Sequence, residues 1–323
     1  MKYDLLTIGD SAIDQYLKIH EANIHCDINN KNCEISFKYA EKIPVEEFRT
    51  SASGNSVNVA AGAGTMGLKT TIYTELGDDF GAQVITKTLE ERGVSIDFVH
   101  KNPNTYTDTH PIIVFKGERT IFTYHTVREY EIKDWEAPKY IYYTSVGNAY
   151  KTFQPIFLSY MKKNPDIILA YNPGSAQLKH DPESIAKVLE IADVLFVNKE
   201  EAEKITGSKN KIKELHELII KRGTKLSVIT DSVNGASVYD GKDYYEVGIC
   251  EVGETVDKTG AGDAFAAGFL SAMFYGKGPE EALKWGTINS AKVITEIGST
   301  NGLASKTDVE RLINKVAFSK ANL

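Results

Sequence analysis

Cysteine is scarce: Cys26, Cys33 and Cys250 are the only three in 323 residues. Three scattered thiols make no disulfide framework, and a chain of this length buries enough apolar surface to fold without one, so reduced thiols are expected. Cys26 and Cys33 lie near His20 and His25, but no close Cys-x-x-Cys pair accompanies them, and packing is expected there rather than zinc. Positive charge is not in excess either, with 37 Lys and Arg against 44 Asp and Glu and a formal net charge of −7. That balance removes the electrostatic pull of a nucleic-acid or acidic-membrane binder. No apolar run approaches the roughly 18 residues of a membrane span. The opening Met1-Lys2-Tyr3-Asp4-Leu5-Leu6-Thr7-Ile8-Gly9-Asp10 carries an acid on each side of a very short apolar stretch, unlike a secretory leader. A cytoplasmic protein is expected. Repeats, low-complexity tracts and flexible linkers are also missing. With 42% hydrophobic and 25% charged residues, the chain reads as globular, one large domain with a smaller appendage.

What is present is alternation. Short β-branched runs at Asp4 to Ile8, Thr70 to Glu75, Tyr140 to Ser145, Asp166 to Tyr171, Val194 to Val197 and Leu226 to Thr230 alternate with helical patterns at 79–92, 151–163, 181–191, 210–222, 260–275 and 279–296. This order implies a mainly parallel sheet covered on both faces, with ligands at the carboxyl ends of its strands. Two regions break the pattern. Cys33 to Tyr39 alternates apolar and polar positions, and Thr109 to Thr126 reads as a hairpin turning at Lys116-Gly117-Glu118. Together they suggest a small, mostly antiparallel sheet, serving as a lid, a dimer surface or a plain extension. The boundaries that follow are 1–14, 41–105 and 128–323 for the large α/β unit, and 15–40 and 106–127 for the small β unit. The many tyrosines, among them Tyr140, Tyr142 and Tyr143, read as packing residues.

The chemistry concentrates in Asp257-Lys258-Thr259-Gly260-Ala261-Gly262-Asp263-Ala264-Phe265. Gly260, Ala261 and Gly262 sit where a helix begins, so unpaired amides and the positive end of the helix dipole face an anion that glycine lets approach closely. Asp263 falls in the first turn beside that anion site. A transferring phosphoryl group needs fixed N–H donors and the acceptor hydroxyl needs a base, and both are supplied here. Taken alone, a tight turn followed by an ordinary first-turn carboxylate explains the same residues equally well.

The segment Asp257-x-Thr259-Gly260-Ala261-Gly262-Asp263 resembles the C-terminal signature of the ribokinase or PfkB-type carbohydrate kinases. Gly54-Asn55-Ser56-Val57-Asn58 resembles that family's sugar-binding Gly-Gly-Asn-x-x-Asn segment, and Asp14 falls where the family places an Asp against sugar hydroxyls. Asn198-Lys199-Glu200-Glu201 resembles its Asn-x-x-Glu element, and Thr230-Asp231-Ser232-Val233-Asn234-Gly235 its strand-end nucleotide segment. The resemblance implies a ribokinase-like three-layer α/β/α core with a β lid, and ATP-dependent phosphorylation of a small sugar, fructose-like or related. Asp263 would be the base and Gly260, Ala261 and Gly262 the anion hole; Asp14, Gly54, Asn55 and Asn58 would bind the acceptor. Asn198, Thr230, Ser232, Gly235, Gly262 and Asn289 would meet the nucleotide, and Glu201 would act on Mg2+ indirectly. Asp257, Thr259 and Gly298 would hold a monovalent cation such as K+. A homodimer through the lid is implied as well.

Departures from the family pattern are Ser53 and Ser232 in place of glycines, the unusual Lys258, and the lack of a Lys after Gly54 that ribose-specific members carry. Nucleosides and sugar phosphates stay open as acceptors, as does an inactive ligand-binding regulator on the same scaffold. Arg119, His125 and Arg128 would suit an acidic substrate or a solvated strand end equally. Gly62-Ala63-Gly64-Thr65-Met66-Gly67 satisfies the dinucleotide-binding spacing, but the residues before it look helical rather than strand-like, so the loop that motif needs is not expected.

Overall fold

The computed structural model describes residues 2–27, 32–133 and 135–322, without the side chains of 319–322. From the N-terminus the order is β1 (Leu5–Ile8), β2 (Ala12–Ile19), β3 (Asn23–Cys26), β4 (Cys33–Ser36), β5 (Val45–Ser53), α1 (Asn55–Thr65), β6 (Thr70–Gly77), α2 (Phe80–Glu91), β7 (Val94–Asn102), β8 (Asp108–Phe115) and β9 (Glu118–Ile121). The middle adds β10 (Tyr140–Tyr143), α3 (Tyr150–Lys163), β11 (Ile168–Tyr171), α4 (Ser175–His180), α5 (Pro182–Leu189), β12 (Val194–Asn198), α6 (Lys199–Thr206), α7 (Ile212–Ile220) and β13 (Leu226–Thr230). Then come β14 (Ala236–Tyr239), β15 (Asp243–Val247), α8 (Ala261–Phe274), α9 (Pro279–Val293), α10 (Lys306–Leu312) and β16 (Phe318–Asn322).

Ten strands form one sheet in the order β16-β15-β14-β13-β12-β11-β10-β1-β6-β7. Pairing is parallel from β13 through β7 and antiparallel from β13 to β16. Successive side chains of a strand point to opposite faces, and both faces here are covered. Leu5, Tyr140 and Tyr142 pack with Val59, Phe265, Phe269 and Trp285 of α1, α8 and α9. Leu6, Ile8, Ile141 and Tyr143 pack on the other side with Phe153, Phe157, Ile185 and Leu215 of α3, α5 and α7. This is the three-layer core expected from the alternation of elements, and the tyrosines are packing residues in it. β1 lies between β6 and β10, so the chain leaves it in both directions and opens a crevice at its carboxyl end. Gly62 and Gly64 lie inside α1 and Gly67 follows its C-cap, so no dinucleotide loop exists there.

A second sheet, β5-β2-β8-β9, stands apart from the first, with β2 parallel to β8 and the outer pairs antiparallel. The hairpin expected at Lys116-Gly117 joins β8 to β9. Val45–Ser53, grouped with the large unit in the sequence reading, is a strand of this small sheet. Cys33–Ser36 is not. Among the described residues it pairs only with β3, in a separate antiparallel pair whose β3 residues are all exposed.

That hairpin corrects the expectation of reduced thiols: Cys26 and Cys33 are joined by a disulfide, with Cα atoms 4.1 Å apart. The cause is register, since β3 and β4 set Cys26 directly opposite Cys33 in an antiparallel pair. Cys250 is free and buried. Among the described residues, no helix is long and apolar enough to cross a membrane.

Candidate active site

Helix α8 begins at the crevice. Its N-cap, Gly260, has φ 75°, and a Cβ there would lie 2.4 Å from Ser299 Cβ, so only glycine fits. The backbone bond from Ala264 N to Gly260 O, 2.8 Å, closes the first turn. The amides of Ala261, Gly262 and Asp263 precede it and belong to the unpaired set at a helix start; Ala261 N has only a long contact to Lys258 O at 3.4 Å. Gly262 is exposed, with open space where a side chain would point. The loop therefore turns its donors to a clear approach, with the helix dipole favouring an anion. Lys258 beside it is exposed.

Asp263 lies in that first turn, partly buried. Asn58 of α1 donates Nδ2 to its Oδ2 at 2.8 Å, and Ser299 Oγ donates in turn to Asn58 Oδ1 at 2.7 Å. Burial pushes the Asp263 carboxyl up to about 7 against the opposing Asn58 hydrogen bond, with the Glu201 and Asp10 carboxylates adding to the rise. A carboxylate poised near neutrality suits a general base. Asn58 is thus a partner of this carboxylate, with both ends of its amide engaged inside the protein.

On the β1 side, Asp10 follows the strand and accepts from Ser145 Oγ at 2.8 Å; burial raises it to about 6. Gly54 caps α1 with φ 106°, and a Cβ there would meet Asp10 O at 2.7 Å. Asn55 Nδ2 donates to Asn172 Oδ1 at 3.1 Å. Asp14 on β2 is buried and pairs with His110 Nδ1 of β8 at 3.0 Å. His110 packs edge-on against His125, ring centroids 5.4 Å apart, and His125 Nδ1 pairs with Asp108 at 2.8 Å. The Asp108 hydrogen bond raises His125 above its ordinary value. Among the described residues, His110 Nε2 is buried with no protein partner, so a ligand hydroxyl there would satisfy it. Asp10, Asp108 and His110 were not singled out by sequence; the β2–β8 register sets Ala12 against Asp108 and Asp14 against His110, and Asp10 lies in the segment between β1 and β2. Arg128 instead ties down its own loop, bonding Thr105 Oγ1 and the Tyr106 carbonyl.

Asp257 is a node. Its Oδ1 accepts from Thr259 N at 3.0 Å and Thr259 Oγ1 at 2.7 Å, and its Oδ2 from Tyr16 OH at 3.0 Å and Gly298 N at 3.1 Å. Arg119 of β9 adds Nη1 to both Asp257 Oδ1 and Thr259 Oγ1. Burial alone would raise Asp257, but the Thr259 and Gly298 donors and the Arg119 charge hold it below the usual carboxylate range.

At the end of β12, Asn198 and Glu201 form a reciprocal capping box at α6: Glu201 N donates to Asn198 Oδ1 and Asn198 N to Glu201 Oε2, both at 2.9 Å. Burial raises Glu201 above its ordinary value. Thr230 ends β13, and Ser232 and Gly235 follow in a turn with φ 51° and 92°. Asn289 is placed elsewhere. It is fully buried, donating to Ala264 O at 2.7 Å and accepting from Ala304 N at 2.8 Å. Both ends of its side chain are used in joining α8 to the segment after α9, so the expected approach to adenine is corrected.

Residues 14–306 match the pattern of the pfkB family carbohydrate kinases. The chain belongs to this family. The kinase is 25% identical over 317 residues to an ATP-dependent 6-phosphofructokinase of Thermoanaerobacterium thermosaccharolyticum, covering 92% of this chain and 90% of that protein. It is 23% identical to a nucleoside kinase of Methanocaldococcus jannaschii, over 84% of this chain and 89% of that one. In three dimensions the kinase resembles Arabidopsis thaliana ribokinase complexed with ribose and ATP, with a TM-score of 0.80 at 20% identity, covering 97% and 99% of the two chains.

Proposed function

We propose that the kinase transfers the γ-phosphoryl group of ATP to a hydroxyl of a small sugar, with Asp263 as base and the amides of residues 260–262 as the anion hole. The observation that carries this is the pairing of an open helix start with a partly buried carboxylate in its first turn, held by Asn58 on the acceptor side. Asp263 takes the hydroxyl proton. The freed oxygen bonds to the γ-phosphorus as the bond to the β–γ bridging oxygen breaks, and ADP leaves with that electron pair. The amides of residues 260–262 meet the charge that develops on the phosphoryl oxygens.

The acceptor is held on the Asp14, Asn55 and His110 side. Arg119 and Arg128, the cations near the lid hairpin that would suit a substrate phosphate, are both engaged with protein groups, which favours an acceptor without a phosphate. Thr230, Ser232 and Gly235 lie along the nucleotide. Magnesium bound with ATP supplies charge neutralisation; Glu201, whose buried carboxyl favours a nearby cation, and Asn198 would hold its waters. Two copies pair through the small sheet, whose Val45, Phe48 and Ile121, with Phe122 after it, are exposed. An ADP-release assay across sugars, sugar phosphates and nucleosides tests the reading. Turnover is expected on a free sugar, and turnover of nucleosides alone would reject it.

A further inference from the structure

The family resemblance leads to a monovalent cation at Asp257, Thr259 and Gly298, and the donor set at those residues does not fit one. Asp257 is 6% exposed and receives donors from Thr259 N, Thr259 Oγ1, Arg119 Nη1, Tyr16 OH and Gly298 N. A carboxylate offers about four lone-pair directions, and five donors exhaust them. A buried carboxylate also needs a compensating charge. That charge is already present, because Arg119 is a guanidinium that does not deprotonate in proteins. The Arg119 side chain is 28% exposed, lies against Asp257 and Thr259, and reaches them across 138 and 140 positions of sequence. A potassium ion at that place would meet a guanidinium rather than free oxygen ligands.

We propose that Arg119 is the kinase's built-in monovalent cation: the small sheet delivers the charge that holds Asp257 and Thr259, and through them the Gly260–Gly262 loop, so that no potassium is required. Two strands of the small sheet take part, since Tyr16 on β2 reaches the same carboxylate as Arg119 on β9. Arg119 is a positioning residue, because it touches Asp257 and Thr259 and acts on the anion loop through them. Its effect on turnover rests on the kinase reading above; its occupation of the cation place does not.

The experiment compares thermal midpoint and turnover in about 0.1 M KCl and about 0.1 M choline chloride, for the wild type and Arg119→Ala. The wild type is expected to show the same midpoint in both salts and turnover within about twofold. Arg119→Ala opens the place for a small cation, so KCl should raise its midpoint and increase its turnover about tenfold over choline, the scale of an ordinary coupling between sites. Millimolar guanidinium should rescue it in the same way. A wild type stabilised or strongly activated by potassium overturns the proposal. So does a folded Arg119→Ala that answers neither potassium nor guanidinium. If the variant does not fold, the wild-type midpoints decide alone. They need no acceptor, so absent turnover with equal midpoints would count against the kinase reading and leave the cation assignment supported.

Discussion

Asn58 Nδ2 donates to Asp263 Oδ2 at 2.8 Å, joining helices whose residues lie 205 positions apart in sequence. The bond orients the carboxylate at the mouth of α8, and the Ser299 hydroxyl fixes the Asn58 amide from behind. One side chain therefore ties helix α1 to the first turn of helix α8. It also stabilises the ionised form of Asp263 in surroundings that otherwise disfavour it.

This relation sets the pH dependence. Burial places Asp263 near 7, and a base works only when ionised, so kcat/KM should fall about tenfold per pH unit below that value. In Asn58→Ala the hydrogen bond that lowers the carboxyl is lost, and the acidic limb should move to higher pH. A pH–rate profile of both proteins checks this; a limb that stays in place would contradict the pairing.

The same group affects stability. An unfolded Asp titrates near 3.9 and the folded one near 7, so folding binds a proton between those values. Stability from this site is greatest below about pH 3.9 and declines as pH rises to about 7. Asp263→Asn removes the cost of holding a buried charge, so its thermal midpoint at pH 8 should exceed the wild type's, with a gain that shrinks towards pH 4. Calorimetry across that range is the check, and a pH-independent difference would contradict it.

Ser232 has φ 51°, a left-handed conformation that a side chain adopts at a cost of about 1 kcal/mol. Ser232→Gly should raise the midpoint by about 2 °C, and Ser232→Val, with a branched Cβ, should lower it. The order of the three midpoints is the observable.

Among the described residues, the disulfide hairpin pairs with no other strand and leaves β3 exposed, so it should open locally. Replacing Cys26 and Cys33 by Ser is expected to leave the global midpoint unchanged within about 1 °C and turnover intact. A fall of several degrees would show that the hairpin is bound to the core.

Most of the parallel core is legible because its strands are buried on both faces and read as apolar, β-branched runs such as Leu5–Ile8 and Leu226–Thr230; β7, half-buried to exposed along most of its length, is not. The antiparallel edge is not. β14 is only Ala-Ser-Val-Tyr and β15 carries Asp243 and Glu246, so their strand state comes from neighbours rather than their own pattern. In the candidate site, Asp263 and residues 260–262 stand out in the sequence because helix start and acid are contiguous. Asn58 and Asn289 show the limit of such reading: a residue type names what a side chain can bond, and only packing decides the partner. Asp10, Asp108, His110 and Arg119 carry no telling spacing, and strand register and the docking of two sheets bring them in. The Cys26–Cys33 bond likewise depends on hairpin register.

The most direct test is steady-state turnover of Asp263→Asn with ATP and the acceptor found in the panel, together with ATP affinity. Asn keeps the shape and the Asn58 neighbourhood but takes no proton. Turnover is expected to fall about 10²–10⁴-fold with ATP binding retained. Unchanged turnover would contradict the assignment of Asp263 as the base.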